Sequence, residues 1–249
     1  MRTFAFMKQA MIFAAGLGTR LKPLTDTMPK ALVPVAGQPL LWHVIMKLKD
    51  AGFGRIVVNV HHFADQIIDY LCANDNFGLD IRISDEREQL LETGGGIKKA
   101  APFFDADSPI LIHNVDILSN IDLAALYDKA QKAEALLLVS QRQTKRYLLF
   151  DEASRLVGWT NIETEEVKSP YPDLEISKYH RLAFSGIHVF HPSLFTQMEG
   201  YPDKFPIMDF YLQHCDRAKI MGYEQIDLRL MDVGKLDTLD EAEEFISNI

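Results

Sequence analysis

The stretch Ile12–Lys30, IFAAGLGTRLKPLTDTMPK, runs from an apolar strand-like segment into a glycine-rich loop followed by two basic residues, Arg20 and Lys30. Two familiar phosphate-binding patterns do not fit it. A P-loop needs four residues between its glycines and then Gly-Lys-Ser/Thr, whereas Gly16 and Gly18 are one residue apart. The dinucleotide fingerprint needs a third glycine or alanine where Leu21 stands. The loop still has the parts of a polyphosphate cradle. Gly16 and Gly18 allow successive amides to wrap an anion, Arg20 offers a fork of donors, and Lys30 adds a point charge.

The surrounding chain narrows the classes of protein that can carry such a loop. Its 249 residues suffice for one large α/β domain, and 47% apolar with 24% charged residues is ordinary globular composition. The net charge of −9 argues against a nucleic-acid partner. Cys72 and Cys215 have no metal or redox spacing and read as free thiols in a reducing cytoplasm. At the N-terminus, Lys8 and Gln9 interrupt the apolar run, so a first strand is expected there rather than a leader, and Met7 is a possible natural start that would make residues 1–6 dispensable. No stretch reaches the length of a membrane span. The expectation is a cytoplasmic protein with neither a nucleic-acid nor a membrane partner, monomeric or homodimeric.

Strand and helix signals alternate over the first half. QAMIFAA, RIVVNVHH, DIRISDE and PILIHNVDI read as strands, with LLWHVIMKLKDAG, FADQIIDYLCAN, GGGIKKAAPFF and DLAALYDKAQKA as helices. Strands apolar on both faces and spaced by helices predict a parallel sheet covered on both sides. Beyond residue 134 the rhythm turns to strands: EALLLVSQ, a pair within YLLFDEASRLVGWTN, then YHRLAFSGIHVFHP and LRLMDVG. FPIMDFYLQHC and DTLDEAEEFISNI read as helices, and the polar segment 161–180, with Pro170 and Pro172, as a mobile surface loop. The organisation expected is one domain, with a nucleotide-binding half over 7–133 and a second half over 134–249 that carries an inserted β-rich lobe.

Ligands of open α/β sheets sit beyond the carboxyl ends of the strands. The glycine loop, Asn114-Val115-Asp116 and Asp232-Val233-Gly234 all fall at such ends. A nucleoside triphosphate brings Mg²⁺, a hard ion held by one or two carboxylates with phosphate oxygens and water, and Asp116 with Asp232 can supply them. LETGGGI (Leu91–Ile97) adds glycines at a helix start, where backbone can lie against a planar ligand or a phosphate. His61 and His62 lack partners spaced for a metal, His180, His188 and His191 read as strand and turn residues, and no nucleophile elbow is present.

AAGLGTRLKPLTDTMPKALVPVAGQPL resembles the signature of the sugar-1-phosphate nucleotidyltransferases, with Gly16, Gly18, Thr19, Arg20, Pro23, Thr25, Pro29 and Lys30 all matching. Further similar motifs, VVNVHH, LETGGG, NVD, FSGIHVFHP and DVG, extend the resemblance over residues 7–249. It implies a Rossmann-like α/β fold, a mixed and mostly parallel central sheet flanked by helices with a small inserted β-rich sugar-binding lobe. It further implies that Ala14, Ala15, Gly16, Gly18, Thr19 and Arg20 hold the triphosphate, that Lys30 lies near the reacting phosphates, and that Asp116 and Asp232 hold Mg²⁺. Glu86 is the candidate for the base, with Arg87 and Glu88 as fallbacks, assisted by Glu92, Thr93, Gly94 and Asn114. Thr160, Asn161, Ser185 and Gly186 are the candidates for the sugar phosphate, together with Lys30.

The chain departs from the family pattern in three places. Val115 stands where a glycine is common, Lys235 follows Gly234 where a threonine is common, and GWTNIETEE replaces a Glu-Lys-Pro. The chain looks most like the N-acetylmuramate-1-phosphate uridylyltransferases of cell-wall recycling, with UTP as the favoured nucleotide; heptose- and mannose-1-phosphate guanylyltransferases are similar over the same length. The reaction implied is an in-line displacement in which the sugar phosphate attacks the α-phosphorus and pyrophosphate leaves. The competing expectations are a non-catalytic nucleotide-sugar sensor, to which Val115 and Lys235 give some weight, and a metal-dependent glycosyltransferase, which has no use for a triphosphate loop.

Overall fold

The computed structural model describes residues 7–249, so the readings made of residues 1–6 lie outside the described residues. The first half contains β1 (Lys8–Phe13), a two-stranded ribbon β2 (Pro34–Val35) and β3 (Gln38–Pro39), α1 (Leu40–Asp50), β4 (Phe53–Val60), α2 (Ala64–Ala73), β5 (Asp80–Asp85), α3 (Glu92–Ala100), β6 (Ile110–Asn114), β7 (Ile117–Ser119) and α4 (Leu123–Lys129). The second contains β8 (Ala135–Ser140), β9 (Arg146–Phe150), β10 (Leu156–Asn161), β11 (Glu166–Lys168), β12 (His180–Phe190), α5 (Ile207–His214), β13 (Ile220–Glu224), β14 (Leu230–Asp232) and α6 (Leu239–Ser247).

Ten strands share one mixed sheet. Along its main path the order is β11-β10-β9-β12-β6-β1-β4-β5, with β8 paired to both β12 and β13. The quartet β6-β1-β4-β5 is parallel, as its helical crossovers require. β12 joins the halves, running antiparallel to β6 through Ile187–Phe190 and to β9 through His180–Leu182. Its register against β8 shifts between Phe184 and His188, and Gly186 there has φ +75°. This bulge re-aims the strand between its two partners.

Side-chain alternation divides the core between the two faces. Ala10, Ile12, Ile56 and Val58 pack towards Leu41, Val44, Ile45 and Leu48 of α1, while Met11, Val57, Ile110 and Ile112 pack towards Ile97 of α3 and Phe210 and Tyr211 of α5. The segment 161–180 differs from expectation. Its Glu166–Lys168 pairs with Asn161–Trp159 as edge strand β11, and Ile176–Lys178 forms a 3-10 turn. Main-chain pairing to β10 overrides the polar composition. The ribbon β2–β3 and the strand β13 carry no pattern that marked them in the sequence. No helix of the described residues is long and apolar enough to cross a membrane, and Cys72 is exposed, Cys215 buried, both unpaired.

The LETGGG glycines serve packing. An added Cβ at Gly95 would stand 2.0 Å from the carbonyl oxygen of Asp203, and one at Gly94 would stand 2.3 Å from the Phe205 ring. The amides of Gly94 and Gly95 both donate to the Phe205 carbonyl, at 2.8 and 3.2 Å. Gly95→Ala must push backbone against backbone, so it is expected to cost about 1–3 kcal/mol of stability in urea unfolding; an unchanged midpoint would contradict this close approach.

His188 faces α5 from the sheet centre, 1% exposed, with neither ring nitrogen hydrogen-bonded. Burial pushes its pKa down to about 3. An imidazole held neutral in the fold but free to charge when unfolded stabilises above its unfolded pKa and loses that contribution as pH falls. From pH 7 to pH 5 the loss from His188 is about 2 kcal/mol. Urea titrations at both pH values should show a smaller drop for His188→Phe; equal drops would mean that His188 is not the group responsible.

Candidate active site

The β1 loop is folded onto itself before any ligand arrives. Gly18 takes the left-handed conformation (φ 63°), and its carbonyl accepts from the amide of Leu21 at 2.8 Å and from the Thr25 hydroxyl at 2.9 Å. A side chain at Gly18 would meet Thr25 Cγ2 at 2.8 Å and Lys30 Cβ at 3.0 Å. The Thr25 of the sequence motif is therefore a buried stitch that brings the loop back over Lys30. Gly16, in contrast, is exposed with nothing within 4 Å of a Cβ position.

Lys30 is 8% exposed, and its ammonium donates to Asp116 Oδ2. Asp116 sits in the turn between β6 and β7, and its carbonyl accepts from the amide of Val233 at 2.8 Å. β14 runs antiparallel to β7 with Asp232 opposite Ile117, which brings Asp232 beside Asp116. Loss of surrounding water, and then repulsion from Asp116, push the Asp232 carboxyl above the usual carboxylate range; Lys30, Arg20 and Arg142 oppose the shift. Gly234 completes this corner, since a Cβ there would lie 2.6 Å from both Arg20 Nη2 and Asp232 Oδ1. Lys235, in the place of the family's threonine, is exposed.

Of these groups, Gly16, Lys30 and Asp116 border a cavity of about 420 Å³, lined also by Phe13, Ala14, Ala15, Asn59, Glu86, Leu90, Glu92, Thr93, Asn114, Val115 and Pro206; Asp232 does not line it. Of the residues expected at the nucleotide, Ala14, Ala15, Gly16, Glu86, Glu92, Thr93 and Asn114 reach it. Gly18, Thr19 and Arg20 do not line it, and Gly94 is buried with its amide committed to Phe205. Thr93 also has a structural task, its hydroxyl oxygen accepting from the amide of Ile207 at the start of α5 (2.9 Å).

Glu86 requires a correction. It is 0% exposed, and both oxygens already accept, Oε1 from Asn59 Nδ2 at 2.8 Å and Oε2 from the amide of Leu91 at 3.1 Å. It forms part of the cavity lining, but the protein itself already engages both of its oxygens. Its carboxyl is raised above the ordinary value by burial, against the pull of those hydrogen bonds. The fallbacks lie elsewhere, with Arg87 paired to Asp85 and Asp65 and Glu88 on a separate surface cleft.

Asn59, at the end of β4, is the residue that the sequence reading missed. Its Oδ1 accepts from the amides of Ala14 (2.8 Å) and Ala15 (3.3 Å) while its Nδ2 donates to Glu86. The VVNVHH motif contained it, but only the tertiary pairing of β1 with β4 reveals its partners.

A second cavity, of about 520 Å³, shares Pro206 with the first and is lined by Arg142, Thr144, Arg146, Leu148, Trp159, Asn161, Glu166, Lys168, Phe184, Met208, Asp209 and Leu212. Asn161 lies here, as expected of a sugar-site residue. Thr160 does not: it alternates with Trp159 and Asn161 to the other face and is 3% exposed. Ser185 and Gly186 are buried in the bulge of β12, with Gly186 against Asn114, and line neither cavity.

A glycine loop at a parallel strand end, a buried lysine paired with Asp116 in one cleft and Asp232 beside it are the features of a site for nucleotide phosphates. The chain belongs to the nucleotidyl transferase family, whose model matches residues 9–249. It is 34% identical over 238 residues to the N-acetylmuramate alpha-1-phosphate uridylyltransferase of Neisseria meningitidis serogroup B, covering 94% of this chain and 96% of that one. It is 43% identical over 146 residues to the enzyme of the same name from Caulobacter vibrioides, spanning 55% of this chain and 60% of the relative. In fold it is similar to HddC from Yersinia pseudotuberculosis complexed with GMP-PN, with a TM-score of 0.75 at 21% identity, covering 96% of this chain and 100% of that one.

Asn59→Ala leaves the Ala14 amide without its partner and Glu86 with one bond fewer. A loss of about 1–3 kcal/mol in thermal or urea unfolding is expected, with weaker nucleoside triphosphate binding in calorimetry. Unchanged affinity in the folded variant would show that the loop keeps its shape without Asn59.

Proposed function

We propose that the chain transfers a uridylyl group from UTP to N-acetylmuramate 1-phosphate, a particular case of the sugar-1-phosphate nucleotidyl transfer read from its motifs. The observation that carries this reading is the convergence of the β1 loop, Lys30 and Asp116 on a cavity that adjoins a second one through Pro206, with Asp232 set beside Asp116 by the pairing of β14 with β7. Two joined compartments suit two substrates that meet end to end. The choice of base and sugar rests on the similarity to the two uridylyltransferases.

Asp116 and Asp232 fit Mg²⁺ by their chemistry. They are hard oxygen donors side by side; the Asp232 carboxyl is raised first by loss of water and then by repulsion from Asp116, a repulsion that a cation between them would relieve. When bound, the ion would neutralise phosphate oxygens in this corner. The protein's own groups do the rest. The loop's amides beyond Ala15 would hold the triphosphate, and Arg20, whose guanidinium lies beside Gly234, would meet the departing pyrophosphate. Lys30 is paired with Asp116 and would turn part of its charge to the two approaching anions. An oxygen of the sugar 1-phosphate bonds to the α-phosphorus as the bond to the β-phosphate oxygen breaks, and pyrophosphate departs with the electron pair. The attacking oxygen is already ionised, so no general base is needed.

Losing one charge-stabilising group costs about 2.7–4 kcal/mol in a transition state, so Lys30→Ala and Asp116→Ala should each lower turnover at least about a hundredfold. Pyrophosphate release from UTP and N-acetylmuramate 1-phosphate, stopped by EDTA and restored by Mg²⁺, is the assay. Rates within tenfold of wild type would remove those residues from the chemistry. No release with this pair, but release with GTP and a mannose or heptose 1-phosphate, would replace the substrates and keep the reaction.

A further inference from the structure

The second cavity carries an excess of positive charge in a chain of net charge −9. Its cations are Arg142, Arg146 and Lys168, and its acids are Glu166 and Asp209. Lys168 is already shared between those acids, 3.8 Å from Glu166 and 3.6 Å from Asp209, and its ammonium lies over the Trp159 ring at 5.4 Å. Arg142 and Arg146 form no ion pair among the described residues. Both guanidiniums are therefore available to a ligand.

Their settings differ. Arg142 is fixed by a hydrogen bond from Nη2 to the Phe184 carbonyl (2.9 Å), and its charge acts on Asp232. It stands on the side of the acidic pair, where the phosphate of a sugar 1-phosphate would come to react. Arg146 opens β9, directly across from Asn161, which in turn pairs with Glu166. Alternation puts Arg146, Leu148, Trp159, Asn161, Glu166 and Lys168 on the cavity face of three adjacent strands. One phosphate can engage Arg142, but this leaves Arg146 facing the cavity with no anion to meet.

We propose that Arg146 recognises a carboxylate on the sugar, so that the preferred substrates are acidic sugar 1-phosphates. This rests on the sugar-phosphate reading of the second cavity given above. A planar guanidinium fork matches a carboxylate in two parallel hydrogen bonds, a geometry that sugar hydroxyls do not reproduce. Arg146 is thus a specificity-determining residue. The lactyl ether of N-acetylmuramate bears such a carboxylate, whereas N-acetylglucosamine is the same sugar without it.

The test compares N-acetylmuramate 1-phosphate with N-acetylglucosamine 1-phosphate, by pyrophosphate release with UTP and Mg²⁺ and by calorimetric binding to the protein alone. Wild type should favour the acidic sugar in kcat/KM by roughly 10- to 100-fold, the worth of one charge-assisted contact. Arg146→Ala should collapse that ratio towards unity, and Arg146→Lys should restore part of it. A structural role for Arg146 would lower both substrates alike and keep the ratio, which would overturn the proposal. Equal turnover of the two sugars by wild type would overturn it too, while leaving the transferase reading intact. Absence of turnover, with binding of the acidic sugar phosphate that Arg146→Ala weakens selectively, would support the proposal and count against the reaction. Failure of both sugars to bind would overturn both.

Discussion

The side-chain amide of Asn59 is the contact on which the site depends. A strand end that turns into a phosphate loop exposes amides with no partner in the sheet, and buried amides without partners are costly. Here the first two, at Ala14 and Ala15, are met by Asn59 Oδ1, and Asn59 is held by Glu86, which also accepts from Leu91. The relay ties β1 and β4 to the segment following β5, and so fixes where the loop leaves the sheet. Gly96 lies against the same pair, a Cβ there being 2.9 Å from Glu86 Oε1 and 3.3 Å from Asn59 Nδ2. The wall of the first cavity is thus built in part from polar groups that satisfy one another within it.

Charge is arranged in the same economical way. Lys30 is buried and would be unfavourable alone, but Asp116 provides its counter-charge. Asp232 adds a second carboxylate and Arg20 a second cation, so the corner holds mixed charge ready to be rearranged by an incoming polyphosphate. The residues come from four separate places in the chain and meet because β14 pairs with β7 and the β1 loop folds back through Thr25.

Much of this was legible in the sequence. The alternation of strand and helix over 9–133 announced the parallel quartet; the glycine loop, Asp116 and Asp232 stood out by type and by their position at strand ends, and Lys30 as a charge after Pro29 in the family pattern. What escaped was whatever depends on the other side of a contact. Glu86 has the right chemistry for a base, yet its burial and its two donors appear only once β4 and β5 are side by side. Asn59 was one polar letter in an apolar strand. Thr160 and Asn161 are neighbours in sequence, and only the register of β10 against β9 decides which of them faces the cavity. The glycines of LETGGG suggested ligand approach because a sequence cannot distinguish a close ligand from the close backbone of residues 203–205.

The bulge in β12 has a wider consequence. The hairpins that form the second cavity are tied into the sheet by three residues of that strand, His180–Leu182, and by a single bridge between Arg155 and Met221. The nucleotide half is built on the remainder of β12, beyond the bulge, where Ile187–Phe190 pairs with β6. On the proposed reading, selectivity for the sugar phosphate lies on an edge of the sheet whose Leu148, Phe150 and Leu156 still pack into the core, while Lys30 and Asp116 stand nearer its centre. On that reading, the exposed, cavity-facing positions of β9–β11 can be substituted to change the acceptor without disturbing the phosphate corner around Lys30 and Asp116.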